Sequence, residues 1–486
     1  TSTTNTKLLC CNNSSVTGST VASGTITSTG DPTASTDSPV FDDDAAHIFG
    51  ESGSESIIKC GSYIGNGSTT GPEINLGWEP QWLLCKKINN QGGGVNTSNW
   101  HILDSMRGTG SGGADVSDDV LLMPNLTNAE VTIELADFTS TGFKNTSDRD
   151  SWNHDGDEYI YMCIRRPDGY VGKPPDAGTD VFTIDLAGIN AGDPSWISNF
   201  PVDMQFIKDR NGTTYNFFLS TRQSQGDYLS TATTGAAIAN AVYKHDYSNG
   251  WGNYASNDAT LITSWMWKRH AGFDVVTYKG GGAASAPRSF AHSLAKTPEM
   301  IWTKNRDSAV DWVVWHKGLN GGGSNAAPYN LRLNDTDTES SNGDIYGGAN
   351  NVLPTSTHWT TGGNSMINEN GSYFTAILFA SVSGISKVGY YDGSDSNQTI
   401  TTGFQTRFLI IKNITTSAEG YNWYVFDTVR GWDVSSSVKI LTLDTTSSES
   451  NTLNMNSNPT STGFTLTGSR GGTNDAGEKY IYYAHA

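Results

Sequence analysis

Charge is scarce in this chain, and positive charge is the scarcest. Of 486 residues 16% are charged, with 30 Lys and Arg against 49 Asp and Glu, so the net charge is −19. Such a polyanion repels phosphate, and no basic aromatic stripe offsets the field, which excludes nucleic acid as a partner. No apolar run reaches the roughly 20 residues that a membrane-spanning helix needs, so no membrane insertion is expected. No secretory leader is legible, and Thr1 in place of methionine reads as a processed or fragment terminus. Cysteine is also sparse: Cys10, Cys11, Cys60, Cys85 and Cys163, an odd number confined to the first third. That excludes a disulfide scaffold and suits synthesis in a reducing cytoplasm. Cys85 and Cys163 lie in apolar strand patterns and read as buried free thiols. The Ala, Glu, Lys and Leu of a helical protein are thin, and 232–245 is the one short helix expected.

What fills the chain is Gly, Ser, Thr and Asn, punctuated by aromatics at 10%, including 14 Trp. Short aromatic or β-branched runs between turn residues predict an all-β protein. One segment recurs: GWEPQWLLCKK (Gly77–Lys87), NFPVDMQFIKD (Asn199–Asp209), LAKTPEMIWTKN (Leu294–Asn305) and GFQTRFLIIKN (Gly403–Asn413). Each is a turn, an alternating apolar segment and a lysine: Lys86, Lys208, Lys304 and Lys412, at steps of 122, 96 and 108 residues. A spacing near 100 is too long for a solenoid coil and suits one small domain per copy.

The expected architecture is therefore tandem antiparallel β-sandwich units, jelly-roll-like, in about four repeats: 57–170, 171–270, 271–383 and 384–486. Equivalent strands should begin near Trp82, Met204, Met300 and Phe408. Apolar residues on both faces of these strands suit a sandwich interior, or strands covered on both sides by neighbouring units. Residues 1–56 have too few large apolar side chains to form a core. They read as an extended arm or linker that lies on its own units or on another subunit, by strand addition.

The sharpest constellation is W-x3-D-x2-R-G, at Trp100, Asp104, Arg107 and again at Trp423, Asp427, Arg430. In the second repeat it matches Tyr215, Leu219, Arg222 without the acid, and in the third Lys317–Gly318 stand for Arg–Gly. A carboxylate and a guanidinium three residues apart at a strand end can close the turn between them. That structural clamp is the reading adopted, over a polar ligand site. For Asp427→Ala it implies a loss of about 0.5–3 kcal/mol. Catalysis is not expected. No carboxylate pair recurs as a glycosidase would need, no G-x-S-x-G elbow is present, and the histidines lack HxH or HExxH spacing. No cofactor is expected, and no metal. Calcium is the one alternative, at the oxygen-rich loops 153–158 and 334–344, which do not follow the EF-hand order. Trp251, in the Gly/Asn-rich YSNGWGNY, is the candidate glycan contact if one exists.

Taken together, YIGNGSTTGPEINLGWEPQWLLCKK, WHILDSMRG, STGF (at 140–143 and 461–464) and YIYMCI resemble a domain of unknown function. That domain is found repeatedly in structural genes of marine tailed phages of cyanobacteria and other ocean bacteria. The N-terminal KLLCCNNSS and GDPTASTDSPVFDDD resemble the linker before such domains. The resemblance spans nearly the whole chain and brings no catalytic residues. It implies a non-enzymatic virion protein, a tail fibre or appendage or a capsid-decorating subunit, made in the host cytoplasm. Its expected partners are other virion proteins and copies of itself. A host-surface glycan is the partner under the alternative reading as an adhesin, and a polysaccharide-degrading enzyme is the third reading.

Overall fold

The computed structural model describes residues 57–486 except 70, 91–97, 108–118, 140–141, 166–170, 187–193, 213–214, 225, 253–260, 342–343, 419, 434–437, 451–456 and 469–471. The expected N-terminal arm lies outside the described residues. Cys60–Arg165 and Tyr170–Ala486 form one compact body. It is all-β, in antiparallel sheets of two to six strands. Among the described residues the only α-helix is the four-residue Ser365–Asn368.

Four large sheets share one strand order. In the fourth, Ser386–Asp392 pairs with Lys479–His485, which pairs with Phe408–Asn413, then Tyr424–Asp427, then Leu441–Thr442. The third runs Phe273–Lys279, Tyr373–Phe379, Met300–Asn305, Val313–His316, Tyr329–Arg332, Ser340–Ser341. The second begins Phe182–Asp185, Ile262–Trp267, Met204–Asp209, Phe218–Thr221. The first runs Ile58–Ile64, Glu158–Arg165, Pro80–Lys87, His101–Asp104. The recurrent lysine segment is thus an inner strand each time, flanked by the closing strand and a hairpin partner. In the first sheet Pro80 displaces the register by one before Trp82, as an edge-tolerated proline at a strand start does.

Each large sheet has two apolar faces. One packs on a small sheet of its own: Leu409, Ile411, Phe426 and Tyr482 against Phe464 and Leu466 in the fourth. Leu83, Cys85 and Cys163 face Phe143 in the first. Cys85 and Cys163 are free and buried, and burial pushes the Cys85 thiol up to about 12. The opposite faces of the second, third and fourth sheets meet in one shared core, with Phe206, Trp267, Trp302, Phe379, Phe408, Trp423 and Tyr483 inside it. Ring contacts join every pair of sheets: Phe206 with Trp302 at 6.1 Å, Trp302 with Trp423 at 6.4 Å, and Trp267 with Phe408 at 5.4 Å. Apolar residues on both faces of these strands thus have both coverings, a sandwich partner and neighbouring sheets.

The helix expected over 232–245 does not form. Ile238–Ala239 is a short strand on the edge of the second sheet, paired with Asp227–Ser230. The Ala237 N–H, which a helix would use internally, donates instead to the Arg306 carbonyl of the third sheet at 2.7 Å. Alanine-rich propensity is a preference of tenths of a kcal/mol per residue, and pairing between sheets overrides it.

Candidate functional site

From aspartate to arginine the two W-x3-D-x2-R-G motifs fold alike. Each aspartate ends the strand paired to the lysine strand, with Trp82 opposite Asp104 and Phe408 opposite Asp427. The chain then turns so that the arginine's own N–H and Nε both reach the carboxylate. Arg107 does so at 2.8 and 2.7 Å, and Arg430 at 2.9 and 2.5 Å. Both guanidinium groups also cap a strand carbonyl, Ile102 or Val425, and both face a glutamate, Glu130 or Glu449. This geometry closes a turn.

Context separates the copies. Asp104 and Arg107 keep side-chain exposures of 14% and 20%, whereas Asp427 and Arg430 have none. Asp427 further accepts Trp265 Nε1 from the second sheet at 3.0 Å, and Arg430 lies over that indole at 5.3 Å. Trp100 is half-buried, while Trp423 is buried and donates Nε1 to the Arg332 carbonyl of the third sheet.

Strand register corrects the two weaker matches. Thr221 stands opposite Met204 and His316 opposite Met300, so these occupy the aspartate position. Phe217 and Trp312 therefore occupy the tryptophan position, rather than Tyr215. Lys317 falls one place past His316 and pairs with Glu299 at 2.5 Å. Arg222 finds its acid in Asp203, from the preceding loop, at 3.2 Å.

Trp251 is not a surface ring. It is fully buried, stacked between Trp196 and Tyr243, with Nε1 donating to Ser264 Oγ at 2.8 Å. No edge or face remains for a sugar. A sequence signal was there: SNGW (248–251) occupies the place of STGF. Gly142, Gly250 and Gly463 each sit where a Cβ would lie within 2.0 Å of a facing carbonyl oxygen, of Ile74, Trp196 and Ile400. Glycine is needed for that approach, and the aromatic after it fills the sandwich.

The recurrent lysines are structural cations. Lys412 Nζ donates to the carbonyls of Tyr421 in its own sheet, at 2.8 Å, and Thr336 in the third, at 2.9 Å. Lys304 reaches Thr234 of the second sheet at 3.1 Å, and Lys208 reaches Thr446 of the fourth at 3.3 Å. Burial lowers all three to about 8 against partial support from nearby carboxylates, Asp209, Asp311 and Asp444. The order second to fourth, fourth to third, third to second closes a ring.

The oxygen-rich loop 153–158 holds backbone. Asn153 donates Nδ2 to the carbonyls of Ser68, Gly71 and Ser147, and Asp157 is buried in an ion pair with Lys87 at 2.5 Å. Asn368 and Asn474 repeat the arrangement, binding Gly282 and Gly362, and Ser396 and Gly468. The signal is an asparagine six residues before the aromatic that opens the closing strand: Asn153 and Tyr159, Asn368 and Phe374, Asn474 and Tyr480. Asn474 also accepts from Ser394 N and Gln398 Nε2. Asn474→Ala should therefore destabilise by about 2–4 kcal/mol in urea unfolding, from bonds worth about 0.5–1.5 kcal/mol each. A loss under about 1 kcal/mol would show that water replaces the amide.

Among the described residues no group of three or more His, Cys, Asp or Glu could hold an ion. A cleft of ≈ 240 Å³ lies between the small sheet of the first repeat, with Glu73, Asp137 and Lys144, and the third repeat, with Lys279, Arg288 and Tyr373. Lys279 lies over the Tyr373 ring at 4.9 Å and Arg288 over Phe290 at 5.0 Å, on the faces that a sugar would need.

Residues 1–166 and 197–486 match the family described as domain of unknown function DUF7483, and the chain belongs to that family. No curated protein and no solved structure matches it.

Proposed function

We propose that this DUF7483 chain is a non-enzymatic structural subunit of a phage virion, a tail fibre or appendage or a capsid-decorating protein, assembled with other virion proteins. The observation that carries the reading is how the recurring polar groups are used. The lysines, the Asp–Arg pairs and the loop asparagines are committed to backbone carbonyls, turns and neighbouring sheets. A catalytic or binding protein holds reactive groups open to a ligand. A structural one turns them inward. The resemblance to domains in structural genes of marine tailed phages supplies the virion setting.

Particles produced from the encoding genome should contain the chain in stoichiometric amount by mass spectrometry, and gold-labelled antibody should decorate them at fixed positions. Purified particles without the chain overturn the reading. A glycan-binding adhesin would rest on the cleft beside Lys279 and Arg288. Saturable binding on a sugar array, lost in Lys279→Ala, would move the function there, and release of reducing ends from host polysaccharide would move it to an enzyme.

A further inference from the structure

The first sheet shares the strand order of the other three, yet among the described residues none lies across its second face as in their shared core. In the second, third and fourth sheets that face is closed by a ring of three, held by two repeating contacts. The lysine reaches a threonine carbonyl at one fixed turn position: Thr446, Thr234 or Thr336. The residue three beyond that threonine returns a backbone N–H to the residue two beyond the lysine. Glu449 donates to Arg210 O at 2.7 Å, Ala237 to Arg306 O at 2.7 Å, and Glu339 to Ile414 O at 3.0 Å. Donor patch and acceptor patch differ, so the contact is heterologous, and it closes after three.

Every element of that contact is present in the first sheet. The bridge of Ile102 with Leu122 sets the register of its turn, and Trp100 N–H donates to Asn125 as Trp312 does to Asn334 and Trp423 to Asp444. This alignment places Thr127 at the threonine position, Glu130 at the donor position and Ile88 at the acceptor position. Lys86 makes the intra-sheet half, donating to Ser98 O at 2.5 Å as Lys412 does to Tyr421 O. Among the described residues the inter-sheet half has no counterpart. The face itself is apolar and only half-buried. Trp82, Leu84, Ile102, Met162 and Ile164 are half-buried where their counterparts Phe408, Ile410, Val425, Tyr483 and His485 are buried. Ile88 is 49% exposed and Leu126, beside Thr127, 41%. Contiguous apolar exposure of this kind marks an association surface.

We propose that this face is covered by the first sheets of two further copies of the chain, forming a homotrimer built on the same ring that the second, third and fourth sheets form within one chain. In it the Lys86 Nζ of one copy donates to the Thr127 carbonyl of the next, and the Glu130 N–H to the Ile88 carbonyl. The occupant is a copy of the chain because the first sheet carries both halves of a contact whose two halves always come from different sheets. Three copies follow from the closure of that contact. The inference does not depend on the virion reading.

Sedimentation velocity of the full chain should give a species of three times 52.1 kDa. Leu84→Glu should convert it to a monomer with an unchanged circular dichroism spectrum. Ile88→Cys with Glu130→Cys, both exposed in the single chain, should on mild oxidation give a covalent ladder ending at three chains, which neither single variant gives. The ladder does not require Leu84→Glu to fold. A monomeric or dimeric full chain overturns the proposal. So does a ladder running past three, or a trimer that survives Leu84→Glu and is lost only when residues 1–56 are removed, which would make the arm the assembling element.

Discussion

Asp427→Ala should cost the protein about 3–5 kcal/mol, and Asp104→Ala, the same substitution in the same motif, only about 1 kcal/mol. The local geometry is shared, so the difference measures environment. Asp427 and Arg430 are both fully shielded from water, and the carboxylate also accepts Trp265 Nε1. Removing it strands a buried guanidinium and an indole N–H at the junction of two sheets, which exceeds the modest loss that the turn alone implies. Asp104 and Arg107 are partly solvated, so water replaces the carboxylate at little cost. Urea unfolding of the two variants measures both values. Equal losses would mean that the clamp acts only on its own turn and that the contact with the second sheet adds nothing.

Acid should unfold the chain between about pH 6.5 and 4.5, early for a protein this acidic. Six of the nine histidines are buried with their pKa lowered, in each case by burial first. His101 and His485 fall to about 4 and His245 and His316 to about 3, with His270 and His292 also lowered. Three of them accept a backbone N–H on Nδ1, from Gly272, Leu294 and Gly318, so a proton there would face a donor. As pH falls below 6.5 the unfolded chain takes up protons that the folded chain refuses, until about 3–4 at His101, His245, His316 and His485. Stability is then lost at about 1.4 kcal/mol per pH unit for each such histidine. Asp119, buried, and Asp444, half-buried, are both raised by loss of water, the latter to about 7; they work the other way and keep their protons in the folded state. Glu134, Asp246, Asp307 and Glu339, also raised by burial, add to that offset, so the net loss is smaller than the histidines alone would give. Thermal melts from pH 7.5 to 4.5 test this, and His316→Gln should flatten the slope. A melting temperature unchanged between pH 7 and 5 would show that the histidines accept protons in the folded state.

The all-β class, the strand starts at Met204, Met300 and Phe408, the thiols of Cys85 and Cys163 and the Asp–Arg pairs were legible in the sequence. Each rests on local signals: alternation, turn residues, and an acid three residues from a base. The cost of losing Asp427 was not legible, because Trp265 lies 162 residues away and only packing brings it there. Trp251 was misjudged for the same reason. Gly and Asn around it signal a loop to any local reading, while the approach of Gly250 to the Trp196 carbonyl decides that the ring turns inward. The segment 232–245 has the composition of a helix, but a long-range N–H bond to Arg306 makes its edge a strand. The sequence by itself determined that one β unit is written repeatedly, because spacing and alternation are properties of the chain alone. Only the tertiary structure decided that three of those units close on one another while the first, among the described residues, stays outside that ring. Which surfaces meet depends on contacts between residues far apart in the chain, and no period along it records them.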